Sequence, residues 1–134
     1  MATRRLWLCV PPMAFCLGDY AVTMWGQGPQ YWAGDYDAAR EANPLVRECM
    51  LLHPAAWQAL TFAWIVGFCL VILKMPRLLA WMTSLCITFS HAHCASTWFF
   101  FDPNGFFYEL ALCIGCAILF VIALEMSRED RKAP

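Results

Sequence analysis

Charge is what this chain has least of. Only 14% of its 134 residues are Asp, Glu, Lys or Arg, against about 25% in a typical soluble domain. Its nine basic residues form no stripe and the formal net charge is −1, so the electrostatic footprint of a nucleic-acid binder is missing. Paired cysteines are missing from the polar segments. Of eight cysteines only Cys49 lies outside the apolar runs, which excludes an extracellular disulfide scaffold. The sequence has no glycine-rich phosphate loop and no Ser–His–Asp order that would set a nucleophile beside a base. Internal repeats, heptads and low-complexity tracts are absent as well.

What remains is apolar: 61% of the residues are hydrophobic and the mean hydropathy is +0.53. Three runs, 56–73, 78–101 and 106–124, contain no charge except Glu109. Each reaches or approaches the ~20 residues that cross a hydrocarbon core of about 30 Å. A fourth run, 6–25, is weaker because it holds Pro11, Pro12 and Asp19. Arg4 and Arg5 ahead of it are also how a signal peptide begins, but no small-x-small cleavage site follows cleanly, so a retained span is expected. The sequence therefore predicts an all-α fold, a single integral membrane domain over 1–134 built as a four-helix bundle. Seven basic residues, Arg4, Arg5, Lys74, Arg77, Arg128, Arg131 and Lys132, fall on one side of the four spans, and only Arg40 and Arg47 lie in the loop 26–54. The positive-inside rule then places both termini in the cytoplasm, the loop outside, and the chain in the plasma (inner) membrane.

The loop opens with GQGPQYWAGDYD, irregular backbone whose neighbours Trp25, Tyr31, Trp32 and Tyr36 fit an interfacial aromatic belt. Asn43-Pro44 reads as a helix start, with asparagine as the cap and proline at the first helical position. Leu45, Val46, Cys49 and Met50 share one face of the short interfacial helix that follows. His53-Pro54 repeats the device and opens the second span. Asp19-x-x-x-Thr23 at the end of the first span and Glu41-Ala42-Asn43-Pro44-Leu45 in the loop resemble a family of small uncharacterised prokaryotic multi-span membrane proteins with D-x-x-x-T and E-x-N-P-L patterns. This chain departs from the pattern in lacking a lysine early in the second span and in its longer loop. The resemblance implies a small membrane protein and no particular activity.

The third run carries ITFSHAHC. At 100° per residue, His91 and His93 point about 200° apart on a helix and cannot chelate one metal ion together. His93 shares a small, polar stripe with Thr83, Cys86, Ser90, Cys94 and Thr97, the kind of surface through which helices meet in lipid. His91 shares a second stripe with Ser84 and Thr88, so this helix is expected to be central and to touch neighbours on both sides. The partners expected for the two rings are Asp19 and Glu109. Intramembrane polar residues are functional candidates by default, and the set here is Asp19, Thr23, His91, His93 and Glu109. A zinc site would draw on His53, His91, His93, Cys94 and Glu109, of which only His91 and Cys94 approach a metal-binding spacing.

Seven cysteines lie within apolar runs, where free cysteine behaves as a small filler. Cys113-Ile-Gly-Cys116 is the exception. A four-span bundle with C-x-x-C in the outer part of its last span resembles membrane thiol oxidoreductases of the vitamin K epoxide reductase type. That resemblance implies Cys113 and Cys116 as a redox pair working with a quinone. The relay pair of that type would lie in the outer loop, where this chain has Cys49 alone, and Glu109 one turn away opposes thiolate formation. Otherwise Ala111, Cys113, Gly115 and Cys116 form a small-residue packing face. The leading expectation is a non-catalytic membrane subunit or interaction protein whose partners are lipid and other membrane protein subunits. A thiol oxidoreductase and a membrane metal-binding protein are the alternatives.

Overall fold

The computed structural model describes residues 5–100 and 102–127. Arg4, Arg128, Arg131 and Lys132, on which part of the charge asymmetry rests, lie outside the described residues. The described chain is helical with no strand, and three of its helical segments, Leu6–Trp25, Pro54–Lys74 and Gly105–Ser127, are long and apolar enough to cross a membrane. The elements run as a 3-10 turn Leu6–Cys9, α1 Val10–Trp25, α2 Pro29–Trp32, a 3-10 turn Tyr36–Ala38, α3 Pro44–Leu52, α4 Pro54–Lys74, α5 Arg77–Thr97 and α6 Gly105–Ser127.

The ranking of the apolar runs changes. The weak first run qualifies, prolines included, whereas α5, the helix of the third run, is not among the three. Its polar residues explain the low average. Ser84 and Thr88 are fully buried in α5 and never meet the surroundings, while Leu78, Leu79, Met82 and Phe89 of the same helix face outward. Thr88 donates to the Ser84 carbonyl at 2.6 Å, which satisfies its hydroxyl within the helix.

α5 packs most extensively on α1. Its inward stripe is Ala80, Ser84, Thr88, Ala92 and Ala95, small residues three and four apart that let two backbones approach. The prolines of α1 belong to this contact. Pro11 and Pro12 carry no N–H to reach back to the carbonyls of Trp7 and Leu8. The Val10 N–H takes Trp7, tightening the entry into a 3-10 turn. The Ser84 hydroxyl takes Leu8 at 2.7 Å, from across the helix interface. A proline pair that weakens a lone span is thus built into the bundle, its freed carbonyl satisfied by a neighbour.

The helix ends sort onto two faces. At one, Arg5 donates to the carbonyls of Leu73 and Met75 at 3.3 and 3.2 Å. There Arg77 donates to the Ser127 carbonyl at 3.2 Å and lies over the Trp81 ring. Basic side chains here complement the carbonyl ends of α4 and α6. Beneath them is the main core: Leu8, Cys9, Cys16, Ile65, Phe68, Ile72 and Ala80. At the other face the loop folds on itself. Tyr31 is fully buried with Ala39 and Met50, and its hydroxyl donates to the Met50 carbonyl. Tyr31 is therefore not a belt residue, as the sequence suggested, whereas Trp25 and Trp32 are well exposed. Burial, with Tyr36 and Tyr20 close by, pushes the Tyr31 phenol above its ordinary range. Gly34, at φ 100°, makes the left-handed turn that brings the chain back beneath Tyr31.

Candidate functional site

Two histidine-bearing turns of sequence meet different fates. His91 faces inward from α5 toward α1 and α4; its ring and the Asp19 side chain are 18% and 14% exposed. The Trp64 indole N–H, on α4, donates to His91 Nε2 at 3.1 Å. An indole has a donor and no acceptor, so Nε2 must accept and the ring proton must sit on Nδ1. Nδ1–H then donates to Asp19 Oδ2 at 2.8 Å. The tautomer follows from this chain of donors, with Asp19 as the last acceptor. One imidazole thereby ties three helices together. Of the two partners expected for the histidines, Asp19 is found, on His91. Glu109 partners neither ring: it and His93 are exposed, and no hydrogen bond joins them.

The stripe around His93 also differs from expectation. Cys86, Ser90, His93, Cys94 and Thr97 are exposed, and the helix contact runs through the other stripe. The hydroxyls of Ser90, Ser96 and Thr97 donate to carbonyls of their own helix, at 2.8, 2.8 and 2.7 Å. A polar face satisfied locally needs no partner helix.

The proposed zinc ligands do not gather. Among the described residues no three His, Cys, Asp or Glu side chains come together as a metal set. His53 Nδ1 instead accepts the Ala55 N–H at 3.0 Å. That residue ends α3 and caps α4 in one extended conformation. Cys113 and Cys116 are free thiols with different surroundings. Cys113 is exposed, and Cys116 is buried against Phe15 and Ala92. Ala111 is exposed as well, so the small residues of α6 do not form one packing face.

Beside the relay lies a cavity of about 360 Å³, bounded by α1, α3, α4 and α5. Asp19, Cys16, Ser90 and His91 line one wall, and Trp57, Leu60, Thr61 and Trp64 line another. Asn43, Leu45 and Val46, at the start of α3, border it from the loop side. Local sequence explains that border. The Asn43 carboxamide accepts the N–H groups of Leu45 and Val46 at 3.1 and 3.4 Å, and Glu41 accepts the Asn43 N–H at 2.7 Å. Pro44 opens the helix where no N–H is needed. The Thr61 hydroxyl donates to the Trp57 carbonyl at 3.0 Å, while the Trp57 indole N–H is buried without a hydrogen-bond partner among the described residues.

Thr23, one turn beyond Asp19, is buried, and its carbonyl accepts from Gln27 Nε2 at 2.8 Å. Gln27 also donates to the Arg40 carbonyl at 2.9 Å and accepts the Arg40 N–H at 2.8 Å, pairing with that backbone as a strand would. Gln27 and Trp64 are the site residues that the sequence reading missed. Gln27 had a signal, a lone amide between Gly26 and Gly28 at a helix end. Trp64 had one too, since Trp57, Thr61 and Trp64 recur at four and three residues on one helical face. No protein-family model, curated protein or solved structure matches the chain.

Proposed function

We propose that this chain is a small multi-span membrane protein in which α1, α4, α5 and α6 form a four-helix bundle across the plasma (inner) membrane, with both ends cytoplasmic. It acts without catalysis, as a subunit or interaction protein. The outward surfaces support the membrane reading: Phe62, Val66 and Leu70 of α4, and Phe107, Ile114, Ile118 and Val121 of α6, are all exposed. In water such faces would be an aggregation liability; in lipid they are ordinary. α5 joins the bundle despite its average hydropathy because Ser84 and His91 point inward to partners on neighbouring segments, while Thr88, Ser90, Ser96 and Thr97 bond carbonyls of their own helix. Arg5, Lys74 and Arg77 share one end of the bundle, in keeping with the positive-inside rule.

The observation that carries the non-catalytic reading is His91. Both ring nitrogens are engaged, Nδ1 by Asp19 and Nε2 by Trp64, so no lone pair remains to take a proton from a nucleophile. The ring works as a three-helix clamp. Alkaline carbonate extraction and a reporter pair test the reading. The chain should stay with membranes at high pH. A green fluorescent protein fused to the C-terminus should glow, and an alkaline phosphatase fused there should be inactive. Release by carbonate, or an active C-terminal phosphatase, would overturn it.

A further inference from the structure

We propose that the cavity beside the relay is a binding site for an organic cation with an apolar body, its charge held by Asp19 and its body lying between Trp57, Leu60 and Trp64. The proposal rests on the membrane reading above. The first reason is charge. Trp64 donates to His91 Nε2 and His91 Nδ1 bonds Asp19 Oδ2, which leaves the second carboxylate oxygen, Oδ1, without a hydrogen bond among the described residues. Among the described residues no lysine or arginine pairs with that carboxylate. Arg5 and Arg77 bond carbonyls at the far end of the bundle, and Arg40 lies against Gly28 in the loop. A negative charge at this depth is costly without a counter-charge.

The second reason is the shape and chemistry of the walls. A volume of about 360 Å³ falls within the range of about 300–1,000 Å³ usual for small-molecule sites. The lining is predominantly apolar, with two indoles on one face of α4 and the carboxylate across from them. Aromatic faces attract organic cations, and more strongly when water is excluded. The same walls carry no lysine or arginine, so an anionic ligand would face the Asp19 carboxylate without the counter-charge of either. An ammonium group can reach such a site from two sources: a free lipophilic amine, or the choline or ethanolamine head of a lipid.

Binding of labelled benzyltrimethylammonium to the full chain in an uncharged maltoside detergent tests this. The cation should bind saturably. Its uncharged isostere neopentylbenzene, in which carbon replaces nitrogen, should compete at least tenfold more weakly. Asp19→Asn should weaken binding at least tenfold. Because that change also touches the relay, Leu60→Trp provides a second arm: it fills the cavity, leaves every polar group in place, and should abolish binding. Displacement by a short-chain phosphatidylcholine would assign the source to a lipid head, and failure to displace would assign it to a free cation. Equal competition by neopentylbenzene, or full binding by either variant, overturns the cation site. So does absence of binding by a wild-type chain that resists carbonate and unfolds cooperatively. A chain that carbonate releases overturns the membrane reading instead.

Discussion

The two ends of the bundle are held by different physics. At the end carrying Arg5 and Arg77, beneath the arginine–carbonyl bonds, side chains pack on side chains: Phe68, Ile72 and Leu8 are almost wholly buried in one continuous cluster. At the loop end, side chains bond to backbone: Gln27 to Arg40, Asn43 to the start of α3, His53 to the start of α4. The cavity and the Asp19–His91–Trp64 relay lie toward the second end. Close packing fills space and leaves no room for a ligand, whereas hydrogen bonds to loop backbone fix geometry while leaving a void intact. A protein that keeps an internal cavity needs the second kind of order near it.

Three substitutions probe that contrast, each read as the free energy of unfolding in mixed micelles. Phe68→Ala should have the largest effect, about 3 kcal/mol, because it opens a hole in the packed end; cation binding to the surviving folded fraction should be unchanged. Gln27→Ala should cost about 2 kcal/mol by leaving the Arg40 N–H and the carbonyls of Thr23 and Arg40 without partners. Hydrogen exchange should then rise through the loop and not near Ile72. Asn43→Ala should be mildest, about 1 kcal/mol, the usual loss for a helix cap, with α3 fraying at its start. If Gln27→Ala proved costlier than Phe68→Ala, the division between a packed end and a bonded end would be wrong.

Much of this was legible in the sequence, and the gaps have a common cause. The capped start at Asn43-Pro44 and the His53-Pro54 junction follow from local chemistry, and both appear where expected. That His91 and His93 serve different surroundings follows from helical geometry alone. Which of the two stripes on α5 would be interior does not, because helix order around a bundle is set by contacts between segments distant in sequence. Thr88 and Ser90 are chemically alike; one is fully buried and the other exposed. Tyr31 departs from its expected place for a related reason. An aromatic residue in an interfacial loop looks the same whether it anchors to headgroups or plugs its own loop, and only the Met50 carbonyl decides. The run that seemed weakest, with Pro11 and Pro12, is long and apolar enough to qualify, and the Leu8 carbonyl that its prolines free is met by Ser84, more than seventy positions later.

That repair has a bearing on biogenesis. On the membrane reading proposed above, the Leu8 carbonyl has no Ser84 to meet until α5 has been synthesised, so α1 would enter the bilayer with that carbonyl unsatisfied. Its hydrogen bonding is then completed only by a helix made much later in synthesis, which ties the final state of α1 to the arrival of α5.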